Sequence, residues 1–423
     1  MQTLRFGDGG LFVQYLQTAL LRAGEDPGTV DGIFGRRTER ALTGFQSRFG
    51  IRTDGTTDRL TWAALYPFLT GATVAILREG ESIEKLAERF RTTPERIRIA
   101  NPSAAWDAGE TIVVPLGFDV VLTNVPYSSF LTACVIDGLT RRYPFLIRFP
   151  IGTSVTGKQI EALRFGAGSL RVGVNAAHHA NEWITTPLVL SFLERFASAY
   201  ASETAIGGVP ARELYENATL TLVPLVNPDG VDLVNGAFPE GDSFYESARA
   251  LSVFYPSIPF PDGWKANISG IDLNLGYPAG WENARAIKFA NGYTRPGPCD
   301  YVGTRPLEAP ENRAMYELTV ADRYDRAIAY HTQGGEIYWE YRGRAPAGSF
   351  RLAERFAAAS GYSVADVPYG SSFAGYKDWV IGTLGVQGFT VEAGRGVNPL
   401  PIEMLASLYE ENEGILVEAL RGT

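Results

Sequence analysis

Only three histidines occur in the chain, His178, His179 and His331, and each stands just behind a run that reads as a β-strand. His178 and His179 lie in Ala177-His178-His179-Ala180-Asn181-Glu182-Trp183, after a strand candidate at 170–175, and His331 follows one at 326–330. Ligands in open α/β sheets collect outside the carboxyl ends of strands. The first piece has His-x-x-Glu spacing, which on a turn entering a helix lets an imidazole and a carboxylate converge on one ion. A histidine from another strand end makes three protein ligands and leaves a fourth position for water, the open His₂Glu pattern of catalytic zinc. Such a zinc acidifies water and polarises a carbonyl. A carboxylate must still take the water's proton and pass it to the leaving amine. Glu392 ends a further strand candidate at 388–391 and is placed to serve. His-x-x-Glu alone arises often by chance. The weight lies in scarce histidines, all at strand ends, with a strand-end glutamate to match.

Residues 120–423 must supply the scaffold for these groups. Strand candidates at 170–175, 220–226, 326–330 and 388–391 alternate with helix candidates at 184–199, 311–324, 352–360 and 402–420. That alternation predicts the α/β class, a sheet flanked by helices. Segments 238–270 and 289–310, rich in Gly, Pro and aromatic residues, read as long loops bordering the site.

Within this region GTSVTGK (152–158), AAHHANEW (176–183), NPDG (227–230), WKANISGIDLN (264–274), YHTQGG (330–335), DW (378–379) and FTVE (389–392) follow one another. In this order they resemble the zinc carboxypeptidase family, over essentially all of 120–423, and imply its mixed sheet. The resemblance implies that His179, Glu182 and His331 hold one zinc ion, that His178 is not a ligand, and that Glu392 is the general base. It places Lys265 where the family has a carbonyl-polarising arginine; the charge is kept without the bidentate fork. Asn274 matches the asparagine that holds a substrate's terminal carboxylate. The next position, usually arginine, is Leu275, which removes half of that clamp and moves the expected activity from trimming free C-termini toward cutting internally. Tyr369 matches the mobile tyrosine that covers substrate. Lys377, two residues before Trp379, falls in the pocket for the residue after the scissile bond, where it would favour a carboxylate-bearing side chain; Arg395 adds a second positive group. WKANISGIDLN, GYKDW and GRGVNPLP are most similar to the bacterial γ-D-glutamyl-L-diamino acid endopeptidase branch, which cuts the γ-D-glutamyl–meso-diaminopimelate bond of peptidoglycan stem peptides. A zinc carboxypeptidase of broader specificity and a non-catalytic wall-binding protein are the alternatives.

Two small modules precede this domain. Residues 1–67 read as helices near 11–21, 36–49 and 61–65, separated by turns at Val30–Gly35 and Asp54-Gly55. VDGIFGRRTERAL, FQSRFGI and DGTTDRLTW resemble a helical peptidoglycan-binding domain. Residues 72–116 read as strand-helix-helix-strand, with Ser82 and Thr93 as N-caps and Pro94 at a first helical position. GESIEKLAERF, IANP and GETIVVP resemble a LysM domain. Both resemblances imply glycan binding at the modules and a stem peptide in the cleft, with tethering raising the local substrate concentration.

Net charge is −9, and since residues 1–116 hold 14 basic and 14 acidic residues, the remainder carries all of it. That excludes nucleic acid as a bulk-charge partner. No apolar run reaches the roughly 20 residues of a membrane span. Cys134 and Cys299, the two cysteines, make neither a disulfide framework nor a thiolate zinc site. Met1-Gln2-Thr3-Leu4-Arg5 opens no signal sequence. A cytoplasmic or spore-associated place, or a wall-associated one after processing or lysis, is expected.

Overall fold

A computed structural model describes residues 2–422. Contacts divide them into two compact units, one holding the residues up to Val125 with Phe130–Leu146, the other Pro126–Ser129 and the chain from Ile147 onward.

The first unit begins with helices Leu11–Arg22, Arg36–Arg48 and Arg59–Thr70. Two buried glutamines pin the turns between them. Gln17 Oε1 accepts from Gly32 N while its Nε2 donates to Asp31 Oδ1. Gln46 does the same at the second turn, accepting from Gly55 N and donating to Thr56 O. Strand β1 (Ala72–Ile76) then pairs antiparallel with β2 (Thr111–Pro115) around helices Ile83–Phe90 and Pro94–Ala100. The caps are those the sequence predicts, with Ser82 accepting from Lys85 N and Thr93 from Arg96 N. Asn101 locks the second helix to the returning strand, donating to Ile97 O and Val113 O and accepting from Val113 N. Helix Ser129–Arg142, unmarked in the sequence reading, gives most of its length to this unit although it lies beyond residue 120. A Cβ on its Gly138 would sit 1.8 Å from Thr70 O, so only glycine permits the approach.

The second unit is built on an eight-stranded mixed sheet. Its members in chain order are β3 (Ile147–Thr153), β4 (Gln159–Gly166), β5 (Leu170–Ala176), β8 (Ala218–Val223), β9 (Arg326–His331), β10 (Glu336–Tyr338), β11 (Ser363–Ala365) and β12 (Gln387–Glu392); β6 (Ala205–Ile206) and β7 (Val209–Pro210) form a separate hairpin. Sheet order is β11-β10-β12-β9-β5-β8-β4-β3. The inner strands β12, β9, β5 and β8 run parallel, while β10, β4 and β3 run against their inner neighbours. Every residue of β9 is buried, as expected of a strand covered on both faces. Ala327 and Ala329 face a core with Met315, Tyr277 and Trp379. On the other face helix Thr185–Ala201 packs on Leu405–Leu420, which also packs on Ser349–Ser360.

The four predicted strands and four helices are present within a few residues of their expected bounds. The antiparallel edge β3–β4 lacks a matching expectation, and segment 238–270 is not all loop. It holds helix Ser243–Ser252, started by Asp242 accepting from Phe244 N, in which only Ala248 and Ser252 are buried, so it leaves no broad apolar stripe to read.

Candidate active site

The parallel core brings the carboxyl ends of β5, β9 and β12 side by side. Glu392 is the cross-strand partner of His331, and Ala176 that of Tyr330. After Ala176 the chain turns sharply. Ala177 has φ 52°, a left-handed conformation that costs a non-glycine residue energy, and its N–H donates to Thr185 Oγ1. His179 then starts the short 3₁₀ turn Ala180–Glu182, which folds Glu182 back beneath it, and Ala180 N donates to Lys265 O.

This turn brings three side chains together. Glu182 Oε1 lies 2.9 Å from His179 Nδ1, and Glu182 Oε2 lies 2.9 Å from His331 Nδ1. The two Nδ1 atoms are 3.3 Å apart. Tetrahedral zinc with Zn–N bonds of about 2.0–2.1 Å separates two nitrogen ligands by about 3.3–3.4 Å. The donor set therefore fits a zinc ion, and it is the group of metal-ligating side chains found among the described residues. His178, adjacent in sequence, points elsewhere. It is fully buried, with Nε2 3.0 Å from Tyr277 OH, and burial holds its imidazole neutral.

The surroundings set the charge. Asp272 Oδ1 meets His179 Nε2 at 3.2 Å, which orients the ring. Burial works against the charge on His179, yet Glu182 and Asp272 lift its pKa to about 10 in the metal-free chain. Burial likewise opposes ionisation of Glu182, but His179, Lys265 and His331 hold it well below the usual carboxylate range. Lys265 Nζ donates to Glu182 Oε1 at 3.2 Å; burial disfavours its charge, and Glu182, Glu392 and Asp272 more than restore it. Glu392 is pushed up to about 7 by burial, with His331 pulling the other way. A carboxylate with a pKa near neutral suits proton transfer in both directions.

These groups open on a cavity of about 350 Å³, whose wall includes His179, Lys265, Asn274, Leu275, Lys377 and Glu392. Asn274 Oδ1 accepts from Tyr376 N, so the group it can offer a substrate is its Nδ2 donor. Leu275 packs with Trp281, Val302 and Phe373. Lys377 is only 5 % exposed, and its Nζ donates to Glu340 O and Asp378 Oδ1, both at 2.6 Å. Two expected residues stand outside the cavity wall. Tyr369 is 69 % exposed with its ring edge against Phe373, although its neighbours Val367, Pro368 and Ser371 line the cavity. Arg395 is exposed, and its guanidinium lies against Gly335. Asp272, Lys288, Cys299 and Asp300 also line the cavity, and the sequence reading missed them. Asp272 had a signal, two positions before Asn274 in WKANISGIDLN. Lys288 and Asp300 had none, because a helix and a long loop bring them in from elsewhere.

Comparisons with known proteins agree with this geometry. Residues 133–413 match the family described as zinc carboxypeptidase, and residues 9–65 match a putative peptidoglycan binding domain. The chain is 41 % identical over 297 residues to gamma-D-glutamyl-L-diamino acid endopeptidase 1 of Lysinibacillus sphaericus, covering 70 % of this chain and 72 % of that one. It is 40 % identical over 281 residues to the uncharacterized protein YqgT of Bacillus subtilis, covering 66 % and 73 %. Among solved structures, bovine thrombin-activatable fibrinolysis inhibitor in complex with tick carboxypeptidase inhibitor shares the fold at a TM-score of 0.55 and 18 % identity, covering 70 % of this chain and 97 % of that one. The chain belongs to the zinc carboxypeptidase family and is a zinc metallopeptidase that carries a peptidoglycan-binding domain.

Proposed function

We propose that the enzyme hydrolyses the γ-D-glutamyl–meso-diaminopimelate bond of peptidoglycan stem peptides. The observation that carries this reading is the 41 % identity to an endopeptidase named for the γ-D-glutamyl-L-diamino acid bond. Leu275 supports it, since an apolar residue in the cavity wall cannot pair with a terminal carboxylate.

His179, Glu182 and His331 hold the zinc. When bound, it supplies Lewis-acid chemistry, acidifying water and polarising the carbonyl. Glu392 takes the proton of the attacking water at its carboxylate and delivers it to the departing amine nitrogen as the C–N bond breaks. Lys265 places a fixed positive charge beside the carbonyl oxygen as that oxygen gains negative charge. Asp272 fixes the His179 ring. Asn274 orients the substrate through Nδ2, Tyr369 closes over it, and Arg395 adds positive charge near the bound peptide, while Lys377 lines the cleft as the neutralised partner of Asp378.

Residues 1–67 bind the wall at one module. Residues 72–116, whose paired strands enclose two helices, are a LysM domain that binds N-acetylglucosamine-containing glycan. Residues 120–423 are the catalytic domain. Digestion of defined muropeptides, with the cut bond identified by mass spectrometry, tests the reading. From stems that extend beyond diaminopimelate, release of peptides beginning with it is expected; release of the C-terminal residue alone would establish a carboxypeptidase instead.

A further inference from the structure

Two oppositely charged pairs stand in the cavity wall, and the hydrolysis described above makes no use of either as a pair. Lys377 and Asp378 are already engaged. Their side chains are 5 % and 4 % exposed, Lys377 Nζ also donates to Glu340 O, and Asp378 Oδ2 accepts from Gly375 N. Lys288 and Asp300 differ. Lys288 Nζ, in the last turn of helix Trp281–Ala290, lies 2.5 Å from Asp300 Oδ1, and the Asp300 side chain is 28 % exposed. An ammonium has three donors and a carboxylate about four acceptor sites. The contact between them leaves each with capacity for a ligand.

The pair is held in fixed relation to the metal ligands. Asp300 N donates to Asp272 Oδ2 at 3.0 Å, and the other oxygen of Asp272 meets His179 Nε2 at 3.2 Å. Asp300 has φ 63°, left-handed for a residue with a side chain. Such strain persists where surrounding contacts impose it, often at ligand sites.

We propose that Lys288 and Asp300 form a specificity-determining pair that reads a substrate side chain ending in both an ammonium and a carboxylate, as that of diaminopimelate does. This deepens the reading of the cleft as one for diaminopimelate-containing peptides and rests on it. The argument is one of charge. A zwitterionic head sets its carboxylate on Lys288 and its ammonium on Asp300, giving four alternating charges and no net charge to desolvate. A lysine side chain satisfies Asp300 but meets Lys288 with like charge. A glutamate side chain satisfies Lys288 and is repelled by Asp300. Each mismatched head sets a like charge against one member of the half-buried pair, and that repulsion discriminates against it.

The test uses the full zinc-loaded chain and two tetrapeptides, L-Ala-γ-D-Glu-meso-diaminopimelate-D-Ala and the same peptide with L-lysine in place of diaminopimelate, which lacks the distal carboxylate. Native enzyme is expected to prefer the first in kcat/KM. Lys288→Met should reduce that preference tenfold or more, the range of a charge-assisted hydrogen bond. Asp300→Asn should weaken both peptides, since both carry the ammonium. A Lys288→Met chain that keeps the native preference overturns the proposal. A native chain that cuts neither peptide sinks the reading of the bond cut, and calorimetry on the Glu392→Gln chain then decides the pair separately. There the diaminopimelate peptide must bind more tightly than the lysine peptide, and Lys288→Met must erase the difference. Equal binding of the two peptides, or a difference that survives the substitution, overturns the assignment.

Discussion

Zinc loading should be strongly pH-dependent, and the structure fixes the direction. In the metal-free chain His179 is lifted to about 10 by Glu182 and Asp272 against the pull of burial. Its Nδ1 therefore carries a proton at neutral pH, while a metal ligand must be deprotonated. Zinc and the proton compete for one atom. Apparent affinity rises about tenfold per pH unit up to the pKa of about 10 and levels off above it. At pH 7 that is roughly a thousandfold, or about 4 kcal/mol, below the plateau. The assay is calorimetric titration of the metal-free chain with zinc in buffers of different ionisation enthalpy. At pH 8.5 Glu392, with a pKa of about 7, is already ionised, so the protons released come from His179, about one per zinc, together with any from the water the metal acidifies. Asp272→Asn removes one of the two carboxylates that raise the pKa and should lower the release at this pH. The same change should cost 10- to 100-fold in plateau affinity through the lost ring partner. Proton release near zero from native chain at pH 8.5, or affinity flat from pH 6 to 9, would refute the reasoning.

Glu392→Gln should retain zinc, measured by metal analysis, and lose about 10²- to 10⁴-fold in turnover, the usual contribution of a general base. Glu311 is fully buried, accepts from Asn267 Nδ2 and Val155 N, and is pushed up by burial to about 7. A carboxyl whose folded pKa is raised stabilises most when protonated, and that contribution is lost as pH rises from the unfolded value near 4.5 to about 7. Denaturant melts of Glu311→Gln should thus show stability gained relative to native chain between pH 5 and pH 8, by up to about 3 kcal/mol; a pH-independent difference would show that Glu311 does not titrate there. Gly138→Ala places a Cβ 1.8 Å from Thr70 O and should lower stability by about 1–3 kcal/mol in thermal or denaturant melts.

Much of the site was legible in the residues. Scarcity made the histidines conspicuous, and His-x-x-Glu behind a strand marks a turn where two ligands converge. The caps at Ser82 and Thr93 were legible because capping is local, a side chain answering an N–H three residues on. The edge strands β3 and β4 were harder to read. The exposure along β3 is irregular, and a bulge between Pro150 and Gly152 breaks its period. Lys377 shows the limit of reading charge from sequence. Its ammonium is a free cation on paper and a buried partner of Asp378 in the fold.

Sequence alone determined the donor types, their spacing and the strand ends that carry them, since these follow from short-range chemistry. Tertiary structure decided which groups share the cavity with the metal ligands. The parallel order β12-β9-β5 sets His331 and Glu392 beside the His179 turn from three distant parts of the chain. Long connections bring Asp272, Lys288 and Asp300 to the same cavity. No local periodicity encodes such an approach, because its stability comes from contacts that exist only once the sheet has formed.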